Sequence, residues 1–198
     1  MTFRRALATL VCLAVVAIVA IGVSKLPGGS STGTSGGGRL TGGRVNALLA
    51  GSPPPLAALH AQADALLGGG ASALHARLAA LAGYPVVIDK WASWCEPCRA
   101  EFGAFQQVGA EYGRRVAFIG IDSADSSRSD AAAFLKSFPV SYPSYYDQSG
   151  ELGEQLTDSP STPATVFIAR DGHSFIWQGQ FPSVGKLRHD VERYALHA

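Results

Sequence analysis

Two cysteines three residues apart stand where a buried strand is expected to pass into a helix. Val86 to Trp91 is a short, apolar, β-branched run typical of a buried strand, and Cys95 to Tyr112 carries apolar residues at helical spacing. The segment WASWCEPCR joins the two. Cys95 is therefore predicted to lie at the start of a helix, where free N–H groups and the helix dipole favour a thiolate over a thiol.

The spacing of the two sulfurs permits reversible disulfide chemistry. A Cys95 thiolate can attack a substrate disulfide to form a mixed disulfide, which Cys98 then resolves. The alternative is half of a zinc site, which needs two further ligands. The third cysteine of the chain, Cys12, lies in the N-terminal apolar run, so redox chemistry is the favoured interpretation.

The rest of the chain alternates between strand and helix patterns. Further strands are predicted at Val116–Ile121, Ser141–Tyr146, Ala164–Arg170 and His173–Gln178, and helices at Ser129–Phe138 and Ser183–Leu196. The Ala/Leu-rich stretch from Leu56 to Ala82 is predicted to form two short helices separated by three glycines. The Asp171-Gly172 turn joins two strands as a hairpin, which requires antiparallel pairing. The predicted fold class is α/β, with a mixed central sheet flanked by helices.

Three regions are predicted along the chain. Residues 1–25 contain Arg4 and Arg5 followed by an uncharged apolar run over Ala6–Val23, which predicts a transmembrane anchor with the remainder outside the cytoplasm. A cleaved signal peptide is the alternative. Residues 26–55 are rich in Gly, Ser, Thr and Pro and are predicted to be a flexible linker, and residues 56–198 the folded domain.

The segment VVIDKWASWCEPCRAEF resembles the active-site region of the thioredoxin superfamily, most closely the membrane-anchored TlpA/ResA-like thiol-disulfide oxidoreductases. The similarity extends from about Leu74 to Tyr194 and includes the Thr162-Pro163-Ala164-Thr165-Val166-Phe167 segment. A C-x-x-C pair beside a βαβ pattern is itself typical of this superfamily. The resemblance therefore implies a thioredoxin-like fold for the whole predicted domain.

The resemblance also implies roles for individual residues. Pro163 matches the family's cis-proline, and Thr162 before it would offer backbone groups to an extended substrate. Asp89 matches the buried acid that assists proton transfer from the resolving cysteine, although many TlpA/ResA-like proteins carry asparagine there. Glu101 matches an active-site glutamate of ResA-like proteins, and it can also compensate the helix dipole. Trp94 is expected to provide contact surface beside the cysteines.

Composition names no additional partner or cofactor. Lys and Arg total 16 against 15 Asp and Glu, and this balance gives no electrostatic basis for nucleic-acid binding. The polar stretch from Asp122 to Ser129 lacks the glycine and glutamate of a calcium loop and is predicted to be a loop before a helix. The resemblance implies neither a cofactor nor a metal.

The apolar run predicts a cell-membrane, single-pass protein. The resemblance implies that it reduces protein disulfides outside the cytoplasm, like the family members that act in apocytochrome c maturation. The acidic residues Asp89, Glu96 and Glu101 favour this direction because negative charge opposes the Cys95 thiolate. Electrons would come from a CcdA/DsbD-type membrane donor. An oxidase or isomerase of secreted proteins uses the same residues, and a Sco-type copper-binding module is a third alternative, although that type uses C-x-x-x-C and a distal histidine.

Overall fold

The computed structural model describes residues 39–197. The α-helices in this range are α1 (Gly42–Leu49), α2 (Pro54–His60), α3 (Gly70–Ala80), α4 (Glu96–Tyr112), α5 (Arg128–Ser137), α6 (Glu151–Thr157) and α7 (Val184–Asp190), which continues as a π-helix over Val191–Leu196. The strands are β1 (Leu66–Leu67), β2 (Val86–Trp91), β3 (Ala117–Ser123), β4 (Ser144–Asp147), β5 (Ala164–Ile168) and β6 (Ser174–Gln178).

The strands form one mixed sheet in the order β1-β4-β3-β2-β5-β6. The pairs β1–β4, β4–β3 and β3–β2 are parallel, whereas β5 pairs antiparallel with both β2 and β6. The prediction of an α/β fold with a mixed sheet and an antiparallel hairpin at its end is confirmed. Strand β2, which leads into the cysteine pair, lies inside the sheet between β3 and β5.

Side chains on the two faces of the sheet pack into separate cores. On β2, Val87 and Trp91 belong to the core formed with α4, α5 and α7, whereas Val86 and Ile88 belong to the core formed with α2, α3 and α6. Because alternate strand residues face opposite sides, Asp89 lies on the same face as Val87 and Trp91. The acid predicted to assist catalysis is therefore on the face covered by the cysteine-bearing helix α4.

Gly120 allows β3 to lie close to its neighbours beneath this helix. A Cβ atom at Gly120 would stand 2.1 Å from the Ser144 Oγ and 2.8 Å from the Trp91 Nε1. These two atoms are joined by a hydrogen bond of 3.1 Å, donated by the indole N–H. A larger residue at position 120 would displace Trp91, the last residue of β2, so the close approach explains the glycine.

Two elements of the folded part differ from the predictions. Leu66–Leu67 pairs with β4 as a short strand, although the Ala/Leu-rich segment around it was expected to hold only helices. Helix α6 occupies a stretch for which no element was expected. Its Gly153 lowers helical propensity, yet a Cβ there would be 2.3 Å from the Ser123 Oγ, so packing on the sheet favours glycine over a stronger helix former.

Helix α1 lies within the segment predicted to be a flexible linker. Thr41 caps it by accepting a hydrogen bond from the Arg44 N–H, and Leu49 is buried against the domain. The Leu40 N–H donates to the Gln106 Oε1 of α4 at 2.9 Å. The prediction of a linker as far as residue 55 overlooked these apolar and capping residues, because glycines and prolines surround them.

The predicted membrane anchor over residues 1–25, and the part of the predicted linker up to residue 38, lie outside the described residues. Within residues 39–197, no helix has the length and apolar character needed to cross a membrane.

Candidate active site

Helix α4 begins directly after Cys95, as the sequence predicts. Cys95 has an extended backbone, and its Sγ accepts a hydrogen bond of 3.1 Å from the Cys98 N–H in the first helical turn. Pro97 fits this turn because its missing N–H is not needed there. A disulfide joins Cys95 and Cys98, whose Cα atoms are 5.3 Å apart. When the disulfide opens, the Cys98 N–H would stabilise negative charge on the Cys95 sulfur.

The residues around the pair differ in exposure. Cys95 is 2% exposed and Cys98 is fully buried, whereas the intervening Glu96 and Pro97 are exposed. Trp94 is 60% exposed, and among the described residues it is the large apolar side chain that reaches solvent most. Trp91, in contrast, is buried and stacks on Phe134. The predicted contact surface at Trp94 therefore lies next to the disulfide, at the end where Cys95 precedes the helix.

A loop from the neighbouring strand holds the segment before the cysteines. The Asp125 Oδ2 accepts a hydrogen bond of 2.8 Å from the Ser93 N–H, and the Trp94 indole N–H donates to the Ala124 carbonyl at 3.1 Å. The Asp125 carbonyl in turn accepts from the Tyr146 hydroxyl at 2.9 Å. This loop fixes the two residues that precede Cys95.

Asp122 lies near the end of β3, just before the same loop. It is the register partner of Trp91 and is fully buried, and both of its carboxylate oxygens lack a hydrogen-bond partner among the described residues. Burial first, and then the nearby Asp125 and Asp147, raise the pKa of Asp122 to about 8, against a lowering by Arg128. The sequence predicted a loop here but no role for these acids. Their position at the carboxyl ends of the parallel strands β3 and β4, or just after, was the available signal.

The pairing of β5 with β2 places Thr162 and Pro163 beside the site. Their peptide bond is cis, as the resemblance implies. Pro163 directly precedes β5, whose first residue, Ala164, pairs with Lys90 near the end of β2. Because the two strands are antiparallel, the start of β5 lies beside the end of β2, from which the cysteine loop departs. Pro163 is buried and Thr162 is half-buried.

The same end of β2 is tied to the segment that precedes Thr162. Lys90 is buried, and its Nζ donates to the Ser159 carbonyl at 2.6 Å and to the Thr157 Oγ1 at 3.4 Å. Burial lowers the pKa of Lys90, while Glu154 and Asp147 act in the opposite direction. Lys90 thus links the strand before the cysteines to the loop before the cis-proline.

Asp89 and Glu101 form a buried acidic pair behind the cysteines. The Glu101 Oε2 accepts a hydrogen bond of 2.7 Å from the Phe181 N–H, and the Asp89 Oδ2 accepts one of 3.5 Å from the Tyr142 hydroxyl. The other oxygen of each carboxylate has no partner in the described part of the chain. The structure therefore brings together two acids predicted from separate elements, and it adds Tyr142 and Phe181, which the sequence did not suggest.

Both acids are harder to ionise than in water. Burial, reinforced by the charge of Glu101, raises the pKa of Asp89 well above its ordinary value, and the Tyr142 hydrogen bond only partly offsets this. Burial likewise raises the pKa of Glu101 to about 8, despite the Phe181 N–H. Both carboxyls therefore keep a proton to higher pH than free carboxyls do, and each can accept a proton from a cysteine only after losing its own.

Replacing Glu101 with glutamine is expected to stabilise the fold near neutral pH. The pKa of Glu101 is about 8 in the folded chain against an ordinary 4.5, so the folded state holds the extra proton and the free energy of unfolding falls as pH rises between these values. Glutamine does not ionise, so the variant avoids this fall in the free energy of unfolding and should be more stable than wild type by about 1–3 kcal/mol at pH 7.5. Urea unfolding at pH 4.5 and 7.5 measures the difference.

The matched control is Glu96→Gln, which alters an exposed glutamate of the same helix. It should change the pH dependence of unfolding far less than Glu101→Gln. An equal stability difference at both pH values for Glu101→Gln would contradict the raised pKa.

No group of three or more His, Cys, Asp or Glu side chains is placed to hold a metal ion anywhere in residues 39–197. The chemistry available at this site is that of two sulfurs at a helix start, a buried acid pair and a cis-proline loop. A mixed sheet carrying these features in this order defines the thioredoxin-like class of dithiol proteins.

Comparisons with known proteins agree with this class. The chain matches the AhpC/TSA family over residues 66–173, more than half of its length, and it belongs to that family. It is 31% identical over 96 residues to the thiol-disulfide oxidoreductase ResA of Oceanobacillus iheyensis, covering 48% of this chain and 50% of that protein. It is 39% identical over 95 residues to the thiol:disulfide interchange protein DsbE of Escherichia coli K12, covering 48% of each.

Among solved structures, the chain resembles a secreted Mycobacterium tuberculosis disulfide oxidoreductase described as homologous to E. coli DsbE. The two are 26% identical with a TM-score of 0.53, and the match covers 58% of this chain and 85% of the other. The chain spans about half the length of the curated relatives it matches. The expected thioredoxin-like fold and the relation to ResA-like proteins are thereby confirmed.

Proposed function

We propose that the protein is a thiol-disulfide oxidoreductase of the ResA/DsbE type that acts on protein substrates. The observation that carries this proposal is the Cys95–Cys98 disulfide at the start of α4, where the Cys98 N–H donates to the Cys95 sulfur. In the reduced form, the Cys95 thiolate attacks a substrate disulfide and releases one substrate thiolate. The Cys98 thiolate then attacks the Cys95 sulfur, so two electrons pass to the substrate and the protein disulfide re-forms.

The proposed direction is reduction, with electrons returned by a membrane donor of the CcdA/DsbD type and apocytochrome c as the substrate class. Carboxylates near Cys95 oppose its thiolate. Glu96 lies between the two cysteines, and Glu101 follows Cys98 by three residues in the same helix. A less stabilised thiolate gives a more negative reduction potential. The exposed Arg99 acts the other way.

The alternative direction, oxidation or isomerisation of secreted-protein disulfides, is favoured by one observation. Burial raises the pKa of Asp89 and raises that of Glu101 to about 8, so near neutral pH the two carboxyls contribute less negative charge than the sequence suggests. When less negative charge surrounds the Cys95 thiolate, the reduced form is more stable and the pair is more oxidising. The two directions therefore differ in the reduction potential that they require.

The reduction potential of the Cys95–Cys98 couple is expected to be close to that of thioredoxin, about −270 mV. Equilibrating the protein with dithiothreitol or glutathione buffers and counting free thiols by mass measures it. A value near about −120 mV, typical of a strong oxidant, would contradict the proposed direction and support the alternative. A pair that fails to exchange with either buffer would contradict the oxidoreductase proposal itself.

We also propose that residues 1–25 anchor the protein in the cell membrane as a single-pass segment, with the catalytic domain outside the cytoplasm. The apolar run over Ala6–Val23 and the preceding Arg4 and Arg5 support this. Protease added to intact cells, after removal of any wall, should release a soluble fragment that contains the domain. A domain that stays protected until lysis would contradict this orientation, and a mature protein that starts after the apolar run would indicate a cleaved signal peptide.

A further inference from the structure

A groove of about 540 Å³ runs between the cysteine loop and helix α5. It is lined by Ser93, Trp94, Arg99, Asp130, Ala133, Phe134, Ser137 and Phe138. The residues from α5 recur at the three- and four-residue spacing of one helix face, so the groove follows that helix. Trp94 belongs to the groove and directly precedes Cys95, so the groove reaches the residue next to the disulfide.

The two ends of the groove differ in charge. At the end formed by Phe138, the Arg39 guanidinium carbon lies 5.0 Å from the centre of the Phe138 ring. The Arg99 guanidinium carbon lies 5.8 Å from the same ring and 5.9 Å from the Phe134 ring, so it stands between the two rings. Arg39 donates to the Ser137 carbonyl and Arg99 to the Ser93 carbonyl. Neither arginine forms an ion pair within residues 39–197. Two cations thus flank one apolar ring without a counter-ion.

The other end of the groove holds an acid. Asp130 lies in the first turn of α5, and the Trp94 indole is bonded to Ala124 in the loop that leads into this helix. From Asp130 to Ser137, to which Arg39 is bound, the helix rises about 10 Å, so the acid is well separated from Arg39, and Arg99 stands between them near Phe134. Between them, Ala133, Phe134 and Trp94 provide an apolar surface.

We propose that this groove binds an extended segment of the substrate protein beside its reacting cysteine, with an acidic side chain at the Phe138 end and an apolar side chain against Trp94. The acid would meet Arg39 and Arg99, whose charges are otherwise unpaired, and its contact with them is a charge-assisted one. The inference rests on the proposed oxidoreductase function and specifies the substrate class that the site prefers. A basic residue at the same substrate position would be repelled.

The reaction that reports this preference starts from the oxidised protein. A peptide thiolate attacks the Cys95 sulfur, the Cys95–Cys98 bond breaks, and Cys98 leaves as a thiolate that takes up a proton from solvent. The peptide sulfur and the Cys95 sulfur then share a mixed disulfide. A second peptide thiolate displaces Cys95, so that two peptides are oxidised to one disulfide and the protein gains two electrons.

The experiment uses single-cysteine peptides that differ only at two positions near the cysteine. Both positions are Glu, Gln or Lys. In one set they precede the cysteine, and in the other set they follow it. Initial rates with the oxidised protein are measured by acid quenching and mass spectrometry. Each rate is divided by that of the same peptide with glutathione disulfide, because the added charges also change the thiol itself. In at least one set, the Glu peptide should react about fivefold faster than the Lys peptide at low salt. This ratio should fall toward one at about 1 M salt, where the Debye length is about 3 Å.

Substitutions in the protein test whether this preference arises in the groove. Arg99→Glu should reverse the order of the Glu and Lys peptides, and Arg39→Gln should reduce the ratio. The matched control Arg170→Glu changes net charge equally at an exposed position after β5, at the opposite end of that strand from Pro163, and should keep the wild-type ratio. Only ratios within one variant are compared, so a change in overall reactivity does not affect the conclusion.

Equal normalised rates for all peptides, or a preference unchanged in both Arg99→Glu and Arg39→Gln, would overturn the groove inference while leaving the oxidoreductase proposal intact. Failure of the wild-type protein to exchange with any peptide and with dithiothreitol would instead overturn the proposed function, and the inference with it.

Discussion

Replacing Cys98 with serine is expected to turn the protein into a covalent trap for its substrates. The reduced Cys95 can still attack a substrate disulfide, because the serine keeps the backbone N–H that donates to the Cys95 sulfur. The mixed disulfide then has no second sulfur to resolve it. Replacing Cys95 with serine should abolish both exchange and trapping, since Cys98 is fully buried within the helix.

Non-reducing gels and mass spectrometry of the two variants, expressed in cells, measure this difference. The control is the Cys95→Ser, Cys98→Ser double variant, which gives the background of non-specific adducts. Trapping by Cys95→Ser and not by Cys98→Ser would reverse the assigned roles of the two cysteines. Trapping by both would show that neither sulfur is shielded from substrates.

Replacing Asp89 with asparagine is expected to slow resolution of the mixed disulfide by about 10²- to 10⁴-fold, the usual contribution of a general base. Asp89 lies on the sheet face covered by α4, and one of its oxygens has no partner in the described part of the chain. Burial and Glu101 raise the pKa of Asp89, so the carboxyl is neutral at low pH and becomes a base as pH rises. The wild-type resolution rate should therefore increase with pH, and the variant should lose this increase.

Tyr142→Phe provides a matched test of the same step. The Tyr142 hydroxyl donates to the Asp89 Oδ2 and lowers the pKa of Asp89, so its removal should shift the rise in rate to higher pH without abolishing it. Stopped-flow measurement of attack and resolution separates the two steps. Equal slowing of both by Asp89→Asn, or no slowing at all, would give Asp89 a purely structural role.

The core of the fold could be predicted because its signals are local. The strand over Val86–Trp91 begins with three β-branched apolar residues, and the cysteine pair lies shortly after it in the sequence, so strand, loop and helix follow one another directly. The short strand β1 could not be predicted in this way. Leu66 and Leu67 stand in an Ala/Leu-rich segment with helical propensity, and only pairing with β4 makes them a strand.

The contacts that complete the site could not be predicted from the sequence, because they also join distant parts of the chain. The hydrogen bonds from Ser93 to Asp125, from Tyr142 to Asp89 and from Phe181 to Glu101 join residues 32, 53 and 80 positions apart. Their partners have no local pattern that marks them. Asp89 and Glu101 were found because they match a family position by position, whereas their ionisation depends on burial that only the folded chain shows.

If residues 1–25 anchor the protein as proposed, the contacts just before helix α1 limit how far the active site can stand from the membrane. Arg39 and Leu40 are already bound to α5 and α4, so in a chain anchored as proposed only residues 24–38 connect the apolar run to the domain. A fully extended segment of this length spans at most about 50 Å, whereas a linker reaching residue 55 would span about twice that. Substrates and an electron donor would therefore have to meet the disulfide within a shallow zone next to the bilayer surface.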